Sequence, residues 1–481
     1  MEHIKDNYLK ACQKSIDDYP ILCKIGEVSD TLQLETYVVG GFVRDLFLGR
    51  ISKDIDIVCV GDGIALAQAV AKYLGIAHPI TIFRGFGTAM LEWNGWVVEF
   101  VGARKESYAA DSRNPKVSIG TLADDQARRD FTINAMAICL NSTRYGMLLD
   151  SFNGQKDLAD ALIRTPCEPN KTFSDDPLRI IRAIRFAAQL SFSISAETLE
   201  SLANMRDRLT IVSQERITEE LHKIVASNRA SYGFELLYQT NILSMIFPEL
   251  ANLSGKDQIG IHSHKDNFLH TLQVLDNVAK HSLKLWLRWA AIFHDIAKPL
   301  TKKFDPIHGF SFHGHEDLGA KMLPKIFRRM KFPTSNEVLG YVQKLVRLHL
   351  RPIALAKEVT DTAIRRLLYE TGDDLEDLFL LCRADITSKN EAKVKQYLSN
   401  FDSVEKKVLD VEVRDSIRNF QPVITGEIIM QTFALNPSPQ VGLIKEAIKE
   451  AILDGKIQNE YHEAFNYMLS IGKNYALKQV K

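Results

Sequence analysis

No run of apolar residues in this 481-residue chain reaches the length needed to cross a membrane. Its opening residues, Met1 to Asp6, carry no signal-peptide pattern. Cysteine is sparse: six residues, at 12, 23, 59, 139, 167 and 382, none forming a CxxC pair. They read as reduced, mostly buried thiols, and the expected location is cytoplasmic with no membrane partner. Net charge is missing as well, with 60 Lys+Arg against 60 Asp+Glu. Any nucleic-acid partner would therefore need a local basic surface. Internal repeats and low-complexity segments are absent too.

What is present is an ordinary globular composition, 46% hydrophobic, on a chain too long for one core. The expected class is α+β: a head with a small mixed sheet and helices, followed by all-helical parts. The expected divisions are 1–140, 141–261, 262–390 and 391–481. A helical lead-in is expected over residues 1–36.

The densest stretch is 37–60. Tyr37-Val38-Val39 reads as a strand ending at Gly40-Gly41, followed by a helix carrying Arg44 and Asp45. Two glycines let a ligand approach the backbone, and a helix start offers free N–H groups to an anion. Asp54 and Asp56 then alternate with Ile55 and Ile57, so both carboxylates share one strand face. Taken plainly, these are a turn and a solvated strand face. Together they suit a phosphate and a divalent cation between like charges. Asn94-Gly95 between Thr88–Trp93 and Trp96–Val101 is the signature of a type I′ hairpin. It leaves Glu99 as either a third carboxylate beside the pair or an exposed charge.

Residues 103–127 are polar and contain Pro115, which predicts a mobile loop. Arg128, Arg129 and Asp130 form either a solvated cluster or a clamp for a triphosphate and ribose. Beyond it, Asp176-Pro177 reads as a helix start. Arg179, Arg182 and Arg185 recur every three residues as a basic stripe, while Leu178, Ile181 and Ile184 pack. Asp176 is either a plain cap or, with Arg179, a reader of a nucleobase.

Residues 262–390 concentrate histidine. His270, His294-Asp295, His313, His315 and His349 are followed by Asp385. One histidine on an apolar face is usually a core residue, whereas five with two placed aspartates point to a metal site. His315 fits its Gly-His-Glu setting better than His313. The tail from 391 reads as helical and carries no interpretable motif.

Gly40-Gly41-Phe-Val-Arg44-Asp45 with Asp54-Ile-Asp56 resembles the catalytic motif of the nucleotidyltransferase superfamily. Arg128-Arg-Asp-Phe-Thr-Ile-Asn134-Ala, Asp150…Gly154…Asp157, Asp176-Pro-Leu-Arg179 and Ser213-Gln-Glu215-Arg216-Ile match further motifs in order. Over about 37–225 the chain resembles the class II tRNA nucleotidyltransferases, the CCA-adding enzymes, and bacterial poly(A) polymerases. The second half resembles an HD-domain phosphohydrolase.

The resemblance implies that Asp54 and Asp56 bind Mg²⁺, with Glu99 in support. Arg44 with Gly40 and Gly41 would hold the triphosphate, and Arg129 and Asp130 the sugar and phosphates. Asp176 and Arg179 would read the base, and Glu215 and Arg216 would brace the neck helix. The implied nucleotide site also takes in Arg128, Asn134, Arg182 and Arg185. One departure is Asp175, where the family often has Glu. In the second half, His270, His294, Asp295, His315, His349 and Asp385 would hold a divalent metal: Mg²⁺, Mn²⁺ or Ni²⁺.

The implied partners are tRNA, CTP and ATP, and the implied reaction is attack of an RNA 3′-hydroxyl on an α-phosphate. CCA addition is the leading expectation. A poly(A) polymerase or a CC- or A-adding specialist is the alternative, with any difference expected in 103–127. Other classes are an HD phosphohydrolase with a regulatory nucleotide-binding head, or a non-catalytic RNA-binding protein on a decayed fold. Intact Asp54 and Asp56 weigh against the last.

Overall fold

A computed structural model describes residues 16–76, 80–85, 87–107, 116–255, 257–259, 262–264, 266–355, 360–387, 390–415, 417–418 and 420–479. The chain divides into two compact units, Met1–Phe247 and Pro248–Lys481. Most of the expected lead-in, residues 1–15, and residues 108–115 of the expected loop lie outside the described residues.

In the first unit α1 (Pro20–Thr31) leads into β1 (Thr36–Val39), α2 (Gly41–Phe47), β2 (Asp54–Cys59) and α3 (Gly63–Tyr73). β3 (Thr81–Phe83), β4 (Thr88–Trp93) and β5 (Trp96–Gly102) follow. The sheet is completed by β8 (Ala137–Cys139) and β9 (Leu148–Leu149), in the order β3-β4-β5-β2-β1-β8-β9. Asn94 and Gly95 both take positive φ, 48° and 85°, as the type I′ turn requires. β2 runs parallel to β5 and antiparallel to β1.

The alternation in β2 decides which face is which. Ile55 and Ile57 are buried with Val38, Val98, Phe100 and Ile138 under Ile21, Leu22 and Ile25 of α1 and Leu66 and Val70 of α3. Each such side chain taken from water contributes about 1.5–3 kcal/mol. That burial fixes the register and turns Asp54 and Asp56 to the opposite face. The smaller apolar cluster of Tyr37, Val39, Val58, Ala137 and Cys139 also lies off the main core.

Residues 103–127 are not simply loop. They contain β6 (Arg104–Ser107) paired with β7 (Lys116–Ile119), then α4 (Leu122–Ala127). α4 starts on a capping box, in which Thr121 Oγ1 accepts from Asp124 N–H and Asp124 Oδ2 accepts from Thr121 N–H. The polar composition that suggested a loop is in part helix-start chemistry.

α5 (Gly154–Ala159), β10 (Leu162–Ile163), α6 (Pro169–Asp175), α7 (Leu178–Leu190), β11 (Ser193–Ile194), α8 (Ala196–Asn204), α9 (Gln214–Val225), α10 (Ala230–Gln239) and α11 (Ile242–Ile246) complete the unit. α7 buries Leu178, Ile181 and Ile184, as its spacing predicts, and packs on α9 and α10.

The second unit holds α12 (Pro248–Ala251), α13 (Asn267–Ala279), α14 (Leu285–Phe293), α15 (Lys298–Thr301), α16 (His315–Arg329), α17 (Tyr341–Leu348), α18 (Arg351–Leu355), α19 (Asp361–Thr371) and α20 (Leu375–Asp385). α21 (Glu391–Asp415), α22 (Gly426–Phe433), α23 (Pro439–Leu453) and α24 (Tyr461–Asn474) follow. It is not wholly helical: β12 (Asp257–Ile259) pairs with β13 (His262–His264), and β14 (Lys303–Asp305) with β15 (Gly309–Ser311). α21 packs against α18, α19 and α20, so the helices on either side of residue 390 form one body.

Candidate active site and metal centre

Parallel pairing sets Asp56 of β2 opposite Glu99 of β5, and Asp54 opposite Val97. Glu99 is therefore on the carboxylate face, beside Asp56. Burial, with Glu99 and Asp54 adding to it, pushes the Asp56 carboxyl up, while Arg129 pulls the other way. Gly40 closes this corner. Its φ is +76°, and a Cβ there would sit 2.8 Å from Asp56 Oδ2 and 3.2 Å from Arg129 Nη1. Both the backbone conformation and the space demand glycine.

Arg129 is aimed by Asp125, a buried residue the sequence reading passed over. Asp125 Oδ2 accepts from Arg129 Nε and Nη2 at 3.0 and 2.9 Å, and its Oδ1 from Arg128 Nε at 3.0 Å. Burial opposes the charge on Asp125, but Arg129 and Arg128 outweigh it and hold its carboxyl low. The spacing, three and four residues back from the arginines on one helical turn, was legible.

A second chain of contacts runs inward from α2. Arg44 is 6% exposed and donates to Asp45 through Nε and Nη2, both at 2.9 Å, and to Asn134 Oδ1 at 2.9 Å. Asn134 in turn donates to Asp130 Oδ1, which also accepts from the Phe131 N–H. Asp130 Oδ2 accepts from Arg182. Burial works against Asp130, yet Arg182 and Asn134 hold its carboxyl well below the usual carboxylate range. Arg44, Arg128 and Asp130, read from the sequence as ligand contacts, thus have their polar groups engaged by protein partners. The Asp150…Asp157 motif supports this loop from below. Asp150 accepts from the N–H groups of Gly154 and Gln155, and Asp157 accepts from Thr132 Oγ1 at 2.7 Å.

The basic stripe on α7 divides. Arg179 donates to the Arg128 carbonyl, Arg182 to Asp130, and Arg185 turns inward, 2.6 Å from Glu220 of α9. The reason is geometric: a three-residue step falls about 60° short of a full turn, so Arg179 and Arg185 diverge by about 120°. Burial lowers Arg185 to about 10 despite Glu220. Glu220 is 3% exposed, and no local pattern announces it because it acts from another helix. The Phe186 ring carries the guanidinium groups of Arg44, Arg182 and Arg185 at 5.1, 5.4 and 3.8 Å. Asp176 accepts from the Leu178 N–H at 3.2 Å, which is a capping contact, and lies 3.9 Å from Arg216.

In the second unit the expected metal ligands converge. His294 and His349 cap the C-terminal ends of α14 and α17, Asp385 ends α20, His315 starts α16, and His270 lies in the first turn of α13. The Nδ1 atoms of His294, His315 and His349 lie 2.7 Å from the carbonyls of Ala291, Phe312 and Val346, each three residues back. His270 Nδ1 lies 2.9 Å from Thr387 Oγ1. At the ends of α14 and α17 the last carbonyls lack helical partners, and the ring N–H groups of His294 and His349 satisfy them. That leaves each Nε2 facing carboxylates: His270 to Asp385 at 2.8 Å, and His294 and His315 to Asp295 at 3.2 Å.

Among the described residues the ligand atoms form two groups, His270/His294/Asp385 and Asp295/His315/His349, each within 4.8 Å. The buried Nε2 atoms of His294, His315 and His349 have no hydrogen-bond partner. Lone pairs facing carboxylates fit cations between them. Burial opposes a charge on His294, but Asp295 and Asp385 lift it to about 10, while burial drives His349 down to about 4. Lys298, missed in the sequence although three residues after Asp295, sits 2.6 Å from Asp295 Oδ2. His313 is exposed and outside both groups.

The family model described as the Poly A polymerase head domain matches residues 36–164. That of a probable RNA and SrmB-binding site of polymerase A matches 191–253, and that of the HD domain 267–390. The chain is 31% identical over 437 residues to a CC-adding tRNA nucleotidyltransferase of Thermus thermophilus, covering 88% of this chain and 91% of that protein. It is 31% identical to an A-adding tRNA nucleotidyltransferase of Deinococcus radiodurans, covering 87% and 92%. It is 32% identical to a multifunctional CCA protein of Nitrosococcus oceani, covering 76% and 87%.

Proposed function

The chain belongs to the tRNA nucleotidyltransferase and poly(A) polymerase family, and from that membership we propose that it adds C, C and A to the 3′ end of tRNA from CTP and ATP. The observation that carries the chemistry is Asp56 set opposite Glu99, with Asp54 on the same strand face and Gly40 against the Asp56 carboxylate. Three carboxylates with Arg129 as the cation acting on Asp56 fit Mg²⁺, held by Asp54 and Asp56. When bound, such ions activate an attacking hydroxyl and stabilise a leaving pyrophosphate.

The residues do the rest. Gly40 and Gly41 leave room for the triphosphate, and Arg129, aimed by Asp125, meets its charge. Arg44, Asn134, Asp130 and Arg182 hold the loop that presents it. Asp176 and Arg179 face the base, with the carboxylate accepting from the exocyclic amine of cytosine or adenine. Arg128 and Arg185 act through Asp125 and Glu220 rather than on the nucleotide.

The proposed organisation is a catalytic head over 1–140, a neck and body over 141–261, an HD domain over 262–390 and a tail over 391–481. The HD ligands hold Mg²⁺, Mn²⁺ or Ni²⁺, and the centre hydrolyses phosphate esters such as a 2′,3′-cyclic phosphate on a damaged tRNA end. That reaction prepares the hydroxyl on which the head acts. Among the described residues no helix is long and apolar enough to cross a membrane, and the proposed location is the cytoplasm.

The experiment is incubation of tRNA lacking its 3′ end with each labelled triphosphate in turn. Incorporation of C, C and then A is expected. C alone or A alone would establish the specialist reading that the two 31% relatives favour, and long A tails would establish a poly(A) polymerase.

A further inference from the structure

The six ligands of the metal centre are not equally covered. Asp385 is 14% exposed, whereas the other five lie between 0% and 7%. It borders a cavity of about 260 Å³. The apolar lining is Ile353, Ile386, Tyr397 and Phe401, and the polar lining is Asp385, Thr387 and Asn400. Tyr397, Asn400 and Phe401 stand at i, i+3 and i+4 on α21, so one helix face supplies them. Phe401 is 1% exposed and fixed edge-on to Phe379 at 5.6 Å, while Tyr397 is 52% exposed.

Among the described residues the lining contains no cation. It offers an accessible aromatic ring, an amide and apolar walls. Its volume of about 260 Å³ is just under the ~300 Å³ at which small-molecule sites begin, which suits part of a ligand such as one base. Aromatic rings hold bases by stacking whatever their identity.

We propose that this cavity binds the nucleoside of the phosphoester that the metal centre cleaves. Tyr397 stacks on the base, Asn400 meets its edge or a sugar hydroxyl, and the phosphate lies toward Asp385. This rests on the phosphohydrolase reading of the centre. In the reaction a water oxygen bonds to phosphorus as the ring P–O3′ bond of the cyclic ester breaks, leaving a 2′-phosphate. The released sugar oxygen takes the proton.

Two measurements on the full, Mn²⁺-loaded chain separate the inference from the reading beneath it. In Tyr397→Trp the added indole reports binding at that position. Cytidine 2′-monophosphate is expected to quench its emission saturably, and inorganic phosphate is not. No quenching, or equal quenching by phosphate, overturns the subsite whether or not the centre is active. In the second, Tyr397→Ala is expected to raise KM for cytidine 2′,3′-cyclic phosphate about tenfold, the loss of one stacking contact. Its kcat is expected to stay within about threefold, and glycerol 1,2-cyclic phosphate hydrolysis to be unchanged. An unchanged KM overturns the subsite and leaves the phosphohydrolase standing. A wild-type protein that hydrolyses neither ester removes the phosphohydrolase, and the indole signal then decides the subsite alone.

Discussion

Arg182 holds one oxygen of Asp130 with two nitrogens, Nε at 2.9 Å and Nη2 at 2.5 Å. The pair joins helix α7 to the loop that carries Arg129. Arg182→Ala would leave a buried carboxylate short of a partner, at roughly 1–3 kcal/mol. Because the Asp130 carboxyl is depressed from 3.8 in the fold, its contribution is fully present above about pH 4. It drains away as pH falls further. Denaturant unfolding at pH 3 to 7 should show the gap between wild type and Arg182→Ala constant above about pH 4 and beginning to narrow below it. A gap independent of pH would contradict this account.

Gly40→Ala should cost activity more than stability. The left-handed φ adds about 1–3 kcal/mol, and the new methyl displaces Asp56 or Arg129. Nucleotide incorporation should fall at least about a hundredfold. A variant with near-normal kcat would mean the corner is roomier than its geometry implies.

Asp54→Ala and Asp56→Ala should each abolish addition, at least about a thousandfold, while circular dichroism stays unchanged. In chelator, Asp56→Asn should even gain stability. The Asp56 carboxyl is pushed up, so its penalty appears as pH rises past its ordinary range, and asparagine escapes it. Substantial turnover of either alanine variant with Mg²⁺ present would remove the metal assignment.

Asp176 has two jobs that one substitution can separate. Asparagine keeps the cap on the Leu178 N–H, whereas alanine loses it at about 0.5–2 kcal/mol. Asp176→Asn should therefore hold its melting temperature yet lose preference for CTP and ATP over UTP and GTP, since mispaired polar groups cost about 1–3 kcal/mol each. Preserved selectivity in Asp176→Asn would leave only the cap.

His294→Ala combined with Asp295→Ala should abolish phosphate release and metal retention in elemental analysis, with CTP and ATP incorporation kept. Wild-type protein that hydrolyses neither cyclic nor terminal phosphates with Mg²⁺, Mn²⁺ or Ni²⁺ would overturn the phosphohydrolase.

Features set by local spacing were legible in the sequence. The period-two alternation of Asp54 to Ile57, the Asn94-Gly95 turn and the clustered histidines all lie where their patterns place them. Features that need two elements were not. Glu220 meets Arg185 only because α9 packs on α7, and a repeat of three was read as a stripe although it winds around the helix. Arg44 illustrates the same limit from the other side. Its motif marks it as important, but which partner it holds depends on Asn134, ninety residues away.

The metal centre gathers backbone ends as well as side chains. Helices α14, α17 and α20 all end at it, and a helix end carries about half a negative charge in its backbone. Two further helices, α13 and α16, begin beside it, and a helix start carries the opposite partial charge. The main-chain ends therefore largely offset one another, and the pull on a cation rests on the side chains of Asp295 and Asp385. Losing either carboxylate should then cost cation capture together with catalysis.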